Sequence, residues 1–507
     1  MDFKPGQKFI GWDLARLVTL SFVMRLVLRL MFFVPAKDGL TFIEIAGYFI
    51  RGDFKTALSH EYHPLYPWLI SVFSKFTSDF IDAGLVISLL FGFLLVIPVY
   101  LSALRLFDRK AAVISSIFCI FHPYLLRFSS NVLSESAYLF FTGFAFWCGI
   151  EGITKKKNVY FAAMSFFSVF AYLTRPEGVG ILLAVVSSLL IIPLHGLSFL
   201  KRLWLAFLVV AVFIVMIFPY IYVISEFQGE WRLTQKTRVT SLLGLDKTVK
   251  DTEVKQSVHE AVEEYPLKAA PDRPEGVKLA VKGSEQLIRK ILKGVFLPVA
   301  VFALIGIAIR KKYPRSQAEF IPLLAFLIYV SVLFMVAIRT DISYRHTAFL
   351  MLLGCVYSGA GVYEFTSLFS KKTGSWLLWT ILFVCVIAMS VKGLKPVGMD
   401  KESRRMVGIW IGRNYPGEPV MTSRLSRIPF YACAEHFDYT DYKKEFILEE
   451  ARNKGVKLVV INLLDMSEAD KDLLSLLNDK NSEKIYSNKF TEKDEIVVYE
   501  LFLNGED

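Results

Sequence analysis

Apolar positions in this chain come as long unbroken runs, not as the alternation of a half-buried strand or the one-sided stripe of a surface helix. Runs that approach the length needed to cross a hydrocarbon core of roughly 30 Å recur along it. They lie at 13–35, 81–104, 111–128, 134–152, 159–174, 178–194, 203–225, 291–309, 319–338, 346–366 and 375–392. The pattern predicts a polytopic α-helical membrane protein with about eleven transmembrane helices. The shorter stretch 65–76, LYPWLISVFSKF, is too short to cross and predicts a re-entrant or interfacial helix.

Polar stretches divide the chain further. Residues 36–80 separate the first two runs, and 226–290 form a long polar segment of mixed charge, with helix-like stretches and the breakers Pro266, Pro271 and Pro274. From about 396 the pattern changes. A helical stretch at 401–414 leads to PVMTS, a helix at 443–453, the buried-strand run VKLVVINLL, a polar helix at 467–479, and strands near 483–487 and 495–502. Helices alternating with apolar strands predict a small α/β domain. The expected organisation is a transmembrane domain over 1–395 and a C-terminal α/β domain over 396–507, the latter extracytoplasmic on the topology below.

Composition agrees: 54% of the 507 residues are hydrophobic, 44 are Phe, and the mean hydropathy is +0.46. The net charge of +11 does not point to nucleic acid, because Lys and Arg fall in short clusters between the apolar runs. With the N-terminus inside, each short cytoplasmic loop is basic: Arg105/Arg109/Lys110, Lys155-Lys156-Lys157, Lys201-Arg202, Arg310-Lys311-Lys312 with Arg315, and Lys371-Lys372. The outer short loops hold chiefly Arg175, Arg339 and Arg345, so the positive-inside rule supports this orientation and an outer tail. Arg16, Arg25 and Arg29 interrupt any cleavable signal and favour a retained first span. Cys119, Cys148, Cys355 and Cys385 lie in apolar runs, Cys433 stands alone in the tail, and no spacing suggests zinc or a disulfide framework.

The unusual polar residues near span ends then collect on the outer side. Lys37, Asp38 and Glu44 follow the first span, His63-Pro64 precedes the short helix, and Glu135 opens the fourth span. Arg175-Pro176-Glu177 joins the fifth to the sixth, and Arg339, Asp341, Arg345 and His346 lie between the ninth and tenth. Each has a plainer reading. Asp38 suits a helix N-cap, Glu44 a solvated face, His63-Pro64 a turn, Glu135 a helix start, and Arg175 and Glu177 a mutual pair. Arg25 and Arg29, four apart, suit pairing inside the bundle. No P-loop, GxSxG or HExxH occurs, and Asp470-Lys471-Asp472 reads as the solvated face of a polar helix.

An outer carboxylate beside arginines suits transfer from a phosphate-linked donor. The carboxylate takes a proton from an attacking hydroxyl and the arginines stabilise the departing phosphate. Outside the cytoplasm an activated sugar would arrive on a membrane lipid. No metal or cofactor is called for.

These pieces resemble the GT-C membrane glycosyltransferases, in particular glycosyltransferase family 39, which includes protein O-mannosyltransferases and the aminoarabinose transferase of lipid A. The likeness rests on Lys37-Asp38 and Glu44-Ile45-Ala46, HPLYPWL at 63–69, LSE at 133–135, LTRPEG at 173–178 and YRH at 344–346, in order along nearly the whole chain. The resemblance implies that Asp38 is the catalytic carboxylate, that Glu135 is a second acidic residue of the site, and that Arg345 lies near the donor phosphate. Lys37, Glu44, His63, Arg175, Glu177 and His346 are the further candidates for substrate binding. Two departures stand out: Gly39 follows Asp38 where many members have a second acid, and His346 follows Arg345 where a Tyr is usual. The expected function is inverting transfer of a hexosyl or pentosyl group from a polyprenyl-phosphate donor to a lipid, protein or glycan acceptor at the outer face of the plasma (inner) membrane. The alternative is a multi-span transporter or lipid flippase, which predicts charges along a path at mid-membrane and paired halves.

Overall fold

The structure, a computed structural model, describes residues 5–228, 234, 277–309, 317–423, 427–440, 442, 444–478, 480–492 and 494–502. Most of the long polar segment, with Pro266, Pro271 and Pro274, and the basic stretch 310–315 lie outside the described residues. The rest forms two compact units. One comprises the described residues of 5–32, 41–234 and 277–397, and the other those of 33–40 and 398–502.

The first unit is helical throughout. Among the described residues, six helices are long and apolar enough to cross a membrane: Phe80–Leu106, Glu135–Lys155, Phe199–Phe227, Gln317–Ala337, Tyr344–Ser367 and Lys372–Gly393. The other apolar runs are helical too, but shorter or more polar. Asn158–Thr174 and Pro176–Ile191 are short apolar helices. Pro5–Arg29 carries Asp13, Arg16, Arg25 and Arg29 along its 25 residues. The third run divides into Arg109–Phe121 and Pro123–Phe128, because Pro123 cannot continue a helix and His122 turns extended before it.

The eighth run differs from its expected single crossing. Residues 291–295 end the Val277–Val295 helix, the chain bends by 95°, and Leu297–Ala308 begins anew. Phe296 sits in the left-handed region at φ 67, and Pro298 opens the next helix. Twelve residues reach only about 18 Å. The short 65–76 stretch is a helix over Leu65–Phe73, and Tyr66 anchors it by hydrogen bonds with Gly84 O (3.1 Å) and Ser88 Oγ (2.6 Å).

Close helix crossings depend on glycine. Leu297–Ala308 meets Ala348–Ser367 where a Cβ on Gly361 would lie 1.8 Å from Phe302 O, and one on Gly306 2.2 Å from Tyr357 O. Without a water-driven hydrophobic force, such backbone approach supplies the packing between membrane helices. On its other side, Ala348–Ser367 packs on Arg109–Phe121 through Gly359, and Ser115 Oγ donates to Val356 O at 2.8 Å.

The expected small α/β domain is present. Strands β1 (Val420–Thr422), β2 (His436–Asp438), β3 (Leu458–Asn462), β4 (Ser482–Thr491) and β5 (Asp494–Leu501) lie in the order β2-β1-β3-β5-β4. The first three are parallel, and β5 runs antiparallel to both β3 and β4. β3 is buried along its whole length, so alternate side chains feed two cores. Met421, Val459 and Ile461 pack on the helices Ile447–Asn453 and Glu468–Leu474 on one face. Val420, Leu458 and Val460 pack on Glu402–Asn414 and Arg427–Ala432 on the other. Residues 33–40 join this unit: Gly398, at φ 76, leaves no room for a side chain against Val34 O, and Arg427 Nε donates to Pro35 O at 3.0 Å.

Asp470 is not on a solvated face. It is buried and accepts from Ser423 Oγ and Tyr439 OH at 2.6 Å and from Ser467 N and Oγ at 2.7 Å. Its carboxylate closes the N-terminus of Glu468–Leu474 and ties that helix to the ends of β1 and β2.

Candidate active site

Four of the singled-out residues meet in the first unit. Glu135 is the first residue of its helix and is fully buried. Its Oε1 accepts from Arg175 Nη1 at 2.8 Å and from Arg345 Nε at 2.6 Å. Arg175 ends the Asn158–Thr174 helix in extended backbone, and its Nη2 donates to Glu177 at 3.0 Å across the Pro176 turn. Tyr329 OH donates to the Glu177 carbonyl at 2.7 Å and accepts from Tyr138 OH at 2.9 Å, fixing that turn from a further helix. The plain reading of Arg175 and Glu177 as a pair therefore holds, within a larger array.

Two carboxylates face two guanidinium groups, so the array is neutral as a whole. Burial disfavours the charge on Arg175, but Glu177 and Glu135 outweigh it and hold the guanidinium above its ordinary value. Glu135 Oε2 is buried and has no hydrogen-bond partner among the described residues, which leaves one acceptor lone-pair set uncommitted.

The remaining candidates are placed elsewhere. Lys37 and Asp38 form the first turn of Lys37–Ile50, with Lys37 exposed and Asp38 half-buried, in the unit that contains the α/β domain. Glu44 is exposed on that helix, beside Tyr48 OH at 3.5 Å. His63 is buried, with Nδ1 2.5 Å from Tyr172 O and Nε2 3.0 Å from Thr234 Oγ1. His346 accepts from Ser343 N at 3.1 Å and closes the capping box of its own short helix. Arg29 pairs with Asp82 as expected, but both side chains are half-buried and not inside the bundle. Arg25 instead donates to Ser21 Oγ at 2.8 Å and makes no ion pair with a described residue.

A second group of cations was not singled out from the sequence. Tyr124 and Tyr344 pack with ring centroids 4.4 Å apart. Lys293 Nζ lies 5.6 Å from the Tyr344 ring, and Lys392 Nζ lies 4.8 Å from both the Tyr124 and Phe296 rings. Arg127 and Arg345 act electrostatically on the Tyr344 hydroxyl. Neither Lys293, Lys392 nor Arg127 forms an ion pair with a described residue, so this patch carries net positive charge that the Glu135 array does not. Their signal was present in the chain: all three sit at span ends assigned to the outer side, where the positive-inside rule expects few cations.

With this geometry in place, comparison with known proteins is informative. Residues 61–222 match the model of the dolichyl-phosphate-mannose-protein mannosyltransferase family, a segment that includes His63, Glu135, Arg175 and Glu177. ArnT from Cupriavidus metallidurans, in a crystal structure bound to undecaprenyl phosphate, is similar with a TM-score of 0.59 at 13% identity, covering 98% of each chain. The oligosaccharyltransferase of Archaeoglobus fulgidus in its apo form gives a TM-score of 0.57 at 14% identity, over 89% of this chain and 69% of that one. The archaeal oligosaccharyltransferase AglB from Archaeoglobus fulgidus, in complex with an inhibitory peptide and a dolichol-phosphate, gives 0.56 at 12%, over 99% and 75%. A search of curated proteins gave no match. The fold is that of the GT-C membrane glycosyltransferases, as the motifs implied.

Proposed function

We propose that this protein is an inverting membrane glycosyltransferase, which moves one sugar from a polyprenyl-phosphate carrier to a hydroxyl of a lipid, protein or glycan acceptor. The observation that carries the reading is the buried Glu135–Arg175–Glu177–Arg345 array flanked by the Lys293/Lys392/Arg127 patch. An anionic donor phosphate fits an apolar, aromatic-lined setting with cations that form no ion pair with a described residue. The structural neighbours in complex with undecaprenyl phosphate and dolichol-phosphate support the same class of donor.

In this reading Asp38 takes the proton from the acceptor hydroxyl as its oxygen bonds to the anomeric carbon from the face opposite the phosphate. The bond from that carbon to the phosphate oxygen breaks, and polyprenyl phosphate leaves against the cations. Arg345 pairs with Glu135 and is next in the chain to Tyr344, against which Lys293 lies. Arg175, held by two carboxylates, orients Glu135, whose uncommitted Oε2 accepts a hydrogen bond from the sugar or acceptor. Lys37, Glu44, His63 and His346 complete the candidate binding set, with His63 and His346 acting through the backbone they hold.

The reading also includes about eleven crossings, counting the short helices, with a cytoplasmic N-terminus. The transmembrane domain is assigned to 1–395 and the outer α/β domain to 396–507, in the plasma (inner) membrane. The deciding experiment incubates the purified protein with a panel of polyprenyl-phosphate hexoses and pentoses and a mixed acceptor fraction, and measures the freed carrier by mass. Asp38→Asn should abolish release while the protein remains folded. Release at the wild-type rate by that variant would overturn the role of Asp38, and no release from any donor would favour the transporter alternative.

A further inference from the structure

The helix Lys371–Gly393 is pinned at both ends by glycine. A Cβ on Gly374 would lie 2.5 Å from Thr366 O, and one on Gly393 3.0 Å from Leu126 Cδ1, so the helix leans on its neighbours at those two points. Between them it lines a gap together with Arg109–Phe121, which is itself locked to Ala348–Ser367 through Gly359. The gap is a cleft of about 710 Å³, continued along the same helix by a second of about 540 Å³ that shares Ile117, Trp379 and Leu382 with it.

The cleft is amphipathic along its length. Its walls are apolar, with Ile114, Ile117, Leu378 and Trp379, and Trp376 and Phe383 carry the apolar surface onward. Its mouth is polar, with Arg109, Lys110, Tyr363 and Ser370. Asp13 neutralises Arg109 through two hydrogen bonds, at 2.6 and 2.9 Å. Lys110 is different. It is exposed, donates to Tyr363 OH at 2.9 Å, and makes no ion pair with a described residue. An ammonium keeps two further donors in that arrangement. Exposed Lys372 stands on the first turn of the neighbouring helix, likewise without an ion pair to a described residue.

We propose that this cleft is a binding site for a membrane phospholipid with an anionic headgroup, its phosphate on Lys110 and its chains along Ile117, Trp379 and Phe383. The site lies among the basic loops that the positive-inside rule assigns to the cytoplasmic leaflet, where anionic lipids meet lysine and arginine. It is at the opposite ends of the helices from the Glu135 array and is independent of the proposed transfer reaction. Charge and shape select the occupant: a wholly apolar molecule leaves the ammonium unpaired, and a zwitterionic headgroup sets its own cation beside it.

The test uses the full chain reconstituted in vesicles of phosphatidylcholine with increasing phosphatidylglycerol, one or the other brominated on its chains. Trp376 and Trp379 are exposed reporters in the cleft. Brominated phosphatidylglycerol should quench tryptophan fluorescence at a lower mole fraction than brominated phosphatidylcholine, by roughly fivefold for a single basic contact. The excess should vanish when Trp376 and Trp379 are both replaced by Phe, should fall to the phosphatidylcholine level in Lys110→Met, and should persist in Lys110→Arg. Equal quenching by the two lipids in the wild type would overturn the proposal, as would an excess unchanged by Lys110→Met. Absence of quenching by either lipid at these two tryptophans would mean that protein covers the cleft, and would overturn it equally.

Discussion

At the scale of single residues, the two acidic candidates differ in what they hold. Glu135 is buried between Arg175 and Arg345, so Glu135→Gln leaves two guanidinium groups short of counter-charge. Breaking a buried ion pair from one side costs about 3–5 kcal/mol. The variant should therefore melt well below the wild type in detergent, whereas Asp38→Asn should melt with it; equal melting of Glu135→Gln and wild type would show that the array is not mutually compensating. A second carboxylate gives a pH signature. Burial raises the proton affinity of Asp470, but the hydroxyls of Ser423, Tyr439 and Ser467 and the Ser467 N–H outweigh it, so its folded value is depressed. Its contribution is present above the unfolded carboxyl value of about 3.9 and is lost as the pH falls through the lower folded value. Protection of β3 amides from hydrogen exchange should drop in that acid window, and Asp470→Asn should lose most of the contribution at neutral pH, about 1.5–3 kcal/mol for bonds to a charged group. Identical acid profiles for the variant and the wild type would remove Asp470 from that role. The chain showed which charges are unusual, since Asp38, Glu135, Arg175 and Arg345 stand at span ends. It did not show who pairs with whom, because pairing across separations such as 135 to 345 depends on helix packing, and polar character alone cannot tell a solvated Asp470 from a buried one.

At the scale of elements, hydropathy was a reliable guide to where helices lie and a poor one to where they break. The eighth run is apolar from Gly294 to Ile309 across Phe296, and its bend comes from a left-handed backbone at a bulky residue, which no hydropathy window registers. Glycine spacing was equally silent, yet it sets the crossings. Gly361→Ala places a methyl group where Phe302 O lies 1.8 Å away, and the backbone of Leu297–Ala308 must move to admit it. Overpacking of this kind costs about 1–3 kcal/mol. Gly11→Ala, with nothing within 4 Å, is the control; it should be neutral or slightly stabilising, since alanine gains up to about 1 kcal/mol over glycine inside a helix. Thermal unfolding of the two variants side by side checks the argument, and equal melting would mean that the crossing at Gly361 yields without cost.

At the scale of the whole molecule, the reading depends on which side of the membrane each part faces, and one thiol tests it. Cys119, Cys148, Cys355 and Cys385 are buried among the helices, while Cys433 is exposed in the α/β domain. A charged maleimide that does not cross bilayers reacts only with a thiol that water reaches from its own side. Applied to intact spheroplasts, it should label the wild-type chain at once and leave Cys433→Ser unlabelled even after the helical unit is given time to exchange. Labelling of the wild type only after lysis would put the α/β domain inside. With it would go the parity of about eleven spans, since an even count returns the tail to the cytoplasm. Labelling from outside keeps the odd count and the outer α/β domain that the basic loops predict.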